Sequence, residues 1–323
     1  MATEKNKSQH KTIIGFDIGG TKTAIGEGTR NAEILQRIEL MTEANRPFAE
    51  TFPSIVAAAN RVIEASAAAS REITALSVSI GGPLKITEGV LIDPPHLPGW
   101  HGVRLKDSLQ TAFPDLPVFI EHDGNAGALA EFHFGAGKGR AGLRHLIFLT
   151  FGTGLGAGLI INGQVLHGAT DTAGEVGHLR LAREGPVGFG KAGSWEGFAS
   201  GKGLVELAAL MFPHRWRQTT PIREVVEAML ADDDDALIVA AEAGKWMGRG
   251  IALLVDTLNP QMIVLGSLAV ALGDRILKPA RQALAEEALP QACAACEILP
   301  AKLGAKIGDV AALMAAISNS DLD

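Results

Sequence analysis

The sequence predicts an α/β protein built as two lobes. Runs of β-branched and aliphatic residues alternate with stretches of helical periodicity along the whole chain. One local pattern, a glycine turn bearing threonine between two strands, also occurs early in each half. Its first copy is TIIGFDIGGTKTAIGEG, residues 12–28, and its second lies in HLIFLTFGTGLGAGLIINGQVL, residues 145–166. Adjacent glycines allow a sharp turn, and their N–H groups with threonine hydroxyls beside them suit an anion such as phosphate. A lone GG is more often a plain hairpin. Two such turns facing one another would clamp a polyphosphate from both sides.

The elements between them follow in order. FAETFPSIVAAANRVIEASAAA (48–69) carries apolar residues at helical spacing, and ITALSVSIGGP (73–83) reads as a buried strand ending in a turn. LIDPPHLPGWHGV (91–103) holds too much proline and glycine for a regular element. LPVFIEHDGNAGALAEFHFGAG (116–137) runs strand, polar turn, helix, with Asp123 at the strand's end. Residues 203–212 are helical in pattern, and 222–258 are helical on both sides of the acidic run Asp232–Asp235, expected to be a solvated loop. MIVLGSLAVALGDRI (262–276) gives strand, glycine turn, helix. Gly15 and Gly20 have the spacing of a Walker A loop, but Thr21 stands where lysine is required, and a strand follows instead of a helix.

Composition narrows the function. With 47% hydrophobic and 20% charged residues, the 323-residue chain has the balance of a soluble globular protein large enough for two cores. A net charge of −7 argues against a nucleic-acid partner. No apolar run approaches the ~20 residues that span a bilayer. The start, MATEKNKSQHK, lacks the apolar core of a secretion signal and reads as a solvated tail, so a cytoplasmic enzyme is expected, with no membrane partner. Cys293 and Cys296 form a CxxC in alanine-rich helical sequence, and without a second cysteine pair a structural or incidental role is expected.

With these pieces placed, the chain resembles the ROK family of repressors, open reading frames and sugar kinases, within the actin-like ATPase superfamily. The resemblance rests on DIGGTKT (17–23), LPGW (97–100), HDGNAGALAE (122–131), FGTGLGAG (151–158), GEVGH (174–178) and IVLG (263–266), in family order. It implies a two-lobed actin-like (ribonuclease H-like) fold with a duplicated α/β core and an interlobe cleft. The expected division is a disordered tail at 1–11, a small lobe at 12–119 joined by a C-terminal helix at about 303–323, and a large lobe at 120–302.

The resemblance also implies function: ATP- and Mg²⁺-dependent phosphorylation of a hexose, foremost glucose at its 6-hydroxyl, as in a glucokinase. An N-acetylated hexosamine, mannose or fructose is the alternative, and polyphosphate or ADP would suit the same motifs as donor. Asp17, Gly19, Gly20, Thr21, Lys22 and Thr23 would face the ATP phosphates, with Asp17 beside the magnesium. Gly152, Thr153 and Gly154 would support the phosphates from the other lobe, and Gly266 and Ser267 would lie near the adenosine. Asp123 is implied as the general base. The sugar would be held by Gly82, Pro83, His122, Asp123, Glu175, His178 and Glu196, with the Leu97–Trp100 loop as a further wall. Closure of the lobes would exclude water. A homodimer or dimer of dimers is implied.

Two departures from the family pattern stand out. Val187, Phe189 and Ser194 occupy the positions of three zinc-binding cysteines, so His178 is left without thiolate partners and no structural zinc is expected. His122 replaces the usual asparagine before the catalytic aspartate, and His96 likewise precedes LPGW. The family's repressors carry a winged-helix domain ahead of DIGGTKT, and the short polar stretch before Lys11 is too small for one. A sugar-binding member without turnover is the remaining alternative.

Overall fold

The computed structural model describes residues 11–319, so the tail expected at 1–11 lies outside the described residues, except for Lys11, which opens the first strand. The chain forms two compact units. The described parts of the first are 11–134, 167–173 and 303–319; the second is 135–166 and 174–302.

In the first unit, β1 (Lys11–Ile18), β2 (Lys22–Gly28) and β3 (Ile34–Met41) make an antiparallel meander. On the other side of β1, β4 (Glu72–Ile80) and β5 (Val118–His122) pair in parallel, giving the order β3-β2-β1-β4-β5. Alternation sorts the side chains of β1 onto two faces. Ile14, Phe16 and Ile18 join Leu76, Val78 and Ile80 against Ile55, Ala59 and Val62 of α1 (Phe48–Ala68). Ile13 and Ala75 point the other way, onto Leu313 and Ala316 of α11 (Ile307–Ile317). Asp17 therefore lies on the α11 face. Helix α2 (Leu105–Ala112) leads into β5, and α3 (Asp123–His133) leaves it without a gap. The boundary expected at residue 119 falls instead after Phe134, because β5 is hydrogen-bonded to β4 and carries α3 with it.

One charge is sealed in this sheet. The Glu27 carboxylate takes Arg71 Nε at 2.7 Å and Nη2 at 2.6 Å, Ser66 Oγ at 2.7 Å and Gln36 Nε2 at 2.7 Å. Burial pushes its pKa up, but Arg71 and the two neutral donors outweigh that and bring it down to about 2. The pair therefore stabilises the fold fully above the unfolded value of 4.5, and that contribution is lost as pH falls through 2. Glu27→Gln should lose about 3 kcal/mol at pH 7, since Arg71 is left half-buried and unpaired. In thermal melts the gap to the parent protein should narrow steadily below pH 4.5; a gap independent of pH would mean that packing, not charge, is lost.

The second unit repeats the plan. β6 (Leu146–Phe151), β7 (Leu155–Ile161) and the short β8 (Gln164–Val165) are antiparallel, while β9 (Met262–Ser267) and β10 (Glu297–Pro300) add in parallel, in the order β8-β7-β6-β9-β10. Around this sheet lie α4 (Trp195–Ala199), α5 (Gly201–Met211), α6 (Ile222–Leu230) and α7 (Asp234–Leu258), then α8 (Leu268–Leu272), α9 (Asp274–Glu287) and α10 (Pro290–Ala295).

The acidic run is a loop in its first half only: Asp232 lies in an exposed turn, while the rest opens a helix. Asp233 caps α7 by accepting the Ala236 N–H at 3.1 Å, and Asp234 and Asp235 form the helix's first turn. Carboxylates there complement the helix dipole, and Arg215 pairs with Asp233 and Asp235. The turn after β9 is made by Ser267, at φ 53°, rather than by a glycine. Cys293 ends up in α10 and Cys296 just beyond it, both free and half-buried. Burial, with Cys293 and Glu297 nearby, pushes the Cys296 thiol up to about 12, which removes it from thiolate chemistry. Among the described residues, no helix is long and apolar enough to cross a membrane.

Candidate active site

The turn between β1 and β2 is held from behind. The Gly19 N–H donates to the Lys22 carbonyl at 3.0 Å. Thr42, just past β3, donates its N–H to the Thr21 carbonyl at 3.0 Å and its hydroxyl to the Gly19 carbonyl at 2.7 Å. Thr23 is fully buried and its hydroxyl lies 2.9 Å from that of Thr42, so its side chain braces the hairpin from inside. Gly19, Thr21 and Lys22 are exposed, with Lys22 paired to Glu39 at 2.5 Å. Gly20 is required by close approach, because a Cβ there would stand 2.6 Å from the His96 carbonyl oxygen. His96 therefore meets this turn through its backbone, while Trp100 is completely buried and packs edge-on to Phe48. Trp100 is a packing residue of the core.

Asp17, one strand-end residue before this turn, points at the first turn of α11. A Cβ on Gly308 would collide with its Oδ2. Burial, followed by the charges of Asp123 and Asp309, raises its pKa from 3.8 to about 6, against the opposing pull of Arg37. Arg37 itself is tied to Asp309 at 2.8 Å and to Glu39 at 2.7 Å. Asp309 is a neighbour that no sequence pattern announces.

Asp123 stands where β5 becomes α3, and its side chain is 56% exposed. Its Oδ1 accepts the Gly124 N–H at 2.7 Å. His122 is the helix cap: its Nδ1 accepts the same N–H at 3.2 Å, so in that arrangement Nε2 carries the ring proton. The His122 ring rests on Gly82, where a Cβ would meet Cδ2 at 2.8 Å and Nε2 at 3.1 Å, while Oδ2 of Asp123 sits 3.5 Å from the Cβ position of Gly81. The half-buried Gly82 thus backs directly onto His122, with Pro83, also half-buried, next to it in the chain. The first unit brings Asp17, the glycine turn, Gly82, His122 and Asp123 into one neighbourhood.

The second unit makes a comparable cluster around its own hairpin. The amides of Gly201 and Lys202, opening α5, donate to the carbonyls of Gly152 (2.8 Å) and Thr153 (3.3 Å). Thr153 is exposed, with Gly152 and Gly154 half-buried on either side. Glu196 Oε2 accepts the Leu155 N–H at 2.9 Å and would lie 2.7 Å from a Cβ on Gly154, so the glycine makes room for the carboxylate. The GEVGH turn packs onto the same strand: a Cβ on Gly177 would stand 2.8 Å from the Leu155 carbonyl oxygen and 3.3 Å from Glu196 Cβ. Glu175 immediately precedes the 3-10 turn that carries His178, and the exposed imidazole stacks on Phe189 with centroids 3.8 Å apart. Further along, Gly266 is buried against the Phe148 ring, and the exposed Ser267 hydroxyl lies 3.0 Å from that of Thr150.

A family model of the ROK family matches residues 13–318. The chain belongs to the ROK family. Its two repeated sheets are the duplicated core of the actin-like ATPase fold. The glucokinase of Halalkalibacterium halodurans is 30% identical over 307 residues, covering 91% of this chain and 92% of that protein. The crystal structure of a ROK family glucokinase from Streptomyces griseus, in complex with glucose and AMPPNP, matches with a TM-score of 0.74 at 30% identity, covering 93% and 97% of the two chains. A putative xylose repressor of Caldicellulosiruptor sp. is 29% identical over 280 residues, covering 84% of this chain and 69% of the repressor.

The zinc clip implied by ROK resemblance does not fit this chain's donor set. At the three cysteine positions, Ser194 Oγ donates to the Gly188 carbonyl (3.1 Å) and accepts the N–H groups of Gly188 (3.0 Å) and Gly197 (3.2 Å). Val187 pairs with Ala192 across a short ribbon, and Phe189 covers His178. Hydrogen bonds and ring stacking thus close the loop that thiolates would otherwise close through a metal.

Proposed function

We propose that this ROK chain phosphorylates a hexose with ATP, glucose at its 6-hydroxyl being the leading substrate, with Asp123 as general base. One observation carries the reading. Asp123 is an open carboxylate on a rigid strand-to-helix junction, with one oxygen fixed by Gly124 and glycines rather than bulky side chains beside it. A carboxylate so placed can accept the proton of a sugar hydroxyl as that oxygen bonds to the terminal phosphorus and the ADP oxygen leaves. His122, with its proton on Nε2, would donate to a sugar oxygen, and Glu175, His178 and Glu196 would accept or donate at other hydroxyls.

Phosphate contacts would come from the amides of Gly20 and Thr21 in the first unit, whose turn Gly19 closes through its own N–H, and from those of Gly152, Thr153 and Gly154 in the second, with Ser267 and Gly266 near the nucleoside. Magnesium, when bound with the nucleotide, supplies charge neutralisation on the phosphates. Asp17 is the residue that would hold it. No cluster of three or more His, Cys, Asp or Glu able to hold a metal occurs among the described residues. Magnesium is commonly bound through one or two carboxylates, phosphate oxygens and water.

The test is coupled ADP release with ATP–Mg²⁺ against glucose, mannose, fructose and N-acetylated hexosamines. Glucose should give the highest kcat/KM, and a hexosamine that surpasses it would reassign the sugar. The similarity to xylose repressors favours one second reading, a ROK protein that binds sugar without turning it over. Folded protein that binds glucose but turns over no sugar, with ATP, ADP or polyphosphate as donor, would establish that reading instead.

A further inference from the structure

Beneath Asp123 lies a carboxylate for which the proposed reaction has no use. Glu121, 6% exposed, has both oxygens committed. Its Oε1 accepts the main-chain N–H of His122 at 2.8 Å and the Nδ2 of Asn125 at 2.9 Å, so it grips the residues on either side of Asp123. Its Oε2 lies 2.8 Å from Nε2 of His167. His167 opens the segment 167–173, which follows β8 in sequence yet belongs to the first unit. The same segment is fixed a second time, by Asp171 Oδ2 accepting the Ile86 N–H at 2.9 Å, close after Gly82 and Pro83. The hydrogen bond to Glu121 raises the pKa of His167, which favours the protonated ring beside this carboxylate.

A buried, fully partnered carboxylate is a poor way to gain stability, because apolar packing does as well without desolvating a charge. Its value here is geometric. We propose that Glu121 and His167 are a positioning pair that holds the turn bearing Asp123 through the His122 amide and the Asn125 side chain. The catalytic consequence rests on the kinase reading above; the mechanical one does not.

Both are measurable in the full chain. Hydrogen exchange of the amides from 121 to 126, in ligand-free protein, should quicken at least about tenfold in His167→Ala, because the helix start loses its anchor. It should stay near the parent rate in His167→Gln, whose amide can still donate to Oε2. In turnover, His167→Ala and the isosteric Glu121→Gln should each lower kcat about tenfold or more, with KM for ATP changed little, since misplacing a base acts on the chemical step. The double variant should be no worse than the more impaired single one. Unchanged exchange in His167→Ala overturns the proposal outright. Faster exchange with an unchanged kcat overturns the positioning role and leaves only a local tie. If the parent protein turns over no sugar, the kinase reading falls, and the exchange result alone decides whether the pair holds the turn.

Discussion

Asp123→Ala should abolish nearly all sugar-dependent ADP release, lowering kcat on the order of 10²–10⁴-fold, the usual worth of a positioned general base. The protein should remain folded. The removed side chain is more than half exposed, and the Gly124 N–H that it accepts is also taken by His122 Nδ1, which persists as the helix cap. The melting temperature should therefore move by only a few degrees, in keeping with a change within about 1 kcal/mol. Asp123→Asn sharpens the test, because it preserves shape and hydrogen bonding but is a far weaker proton acceptor. Equal losses in the two variants would identify proton acceptance as the role. An asparagine variant with near-parent kcat would mean that Asp123 only orients the sugar.

Asp17→Asn should remove activity while making the ligand-free protein more stable. In the folded state Asp17 binds its proton until about pH 6, whereas in the unfolded chain it releases it near 3.8. The folded state is thus disfavoured progressively as pH rises between those values, and the whole penalty applies above 6. Roughly two pKa units correspond to about 3 kcal/mol at most. Asp17 is only half-buried, so solvent screening reduces the expected gain to about 1–2 kcal/mol. Melts at pH 8 should show the asparagine protein ahead, and the advantage should vanish below pH 4. A variant no more stable at pH 8 would show that the charge of Asp17 is already compensated without ligand. Burial and, after it, the charges of Asp123 and Asp309 oppose ionisation of Asp17, and a divalent cation would relieve both, a common trade between stability and function.

Local chemistry was legible in the sequence where it is written in neighbours along the chain. Both glycine hairpins lie between the expected strands, α1 follows its apolar spacing, and Asp123 stands at a strand-to-helix junction. What escaped the sequence depends on partners far apart in the chain. Thr42 reaches back to Gly19 and Thr21, Asp309 comes to Asp17 from the other end of the molecule, and Glu121 meets His167 only because residues 167–173 join the first unit. A hint of Glu121 was available. In VFIEH it interrupts a buried strand with a charge, which a strand rarely tolerates without a partner. No local signal marked His167. The acidic run at 232–235 was half legible: Asp232 is in an exposed turn as its charge suggests, but the same residue type also favours the start of a helix, which Asp233 caps and Asp234 opens.

The first unit is assembled from three separated stretches of chain, and α11, the last of them, covers the α11-facing side of β1 and β4. During synthesis, the strands made first must wait with Ile13 and Ala75 uncovered until nearly all the rest of the chain has emerged. The second unit has no such dependence on α11, its last strand being β10 at Glu297–Pro300. The unit carrying Asp17 and Asp123 is therefore the one whose sheet depends on the last stretch of described chain. A released chain ending at residue 302 would hold every residue of the second unit yet leave Ile13 and Ala75 of the first unit's sheet uncovered.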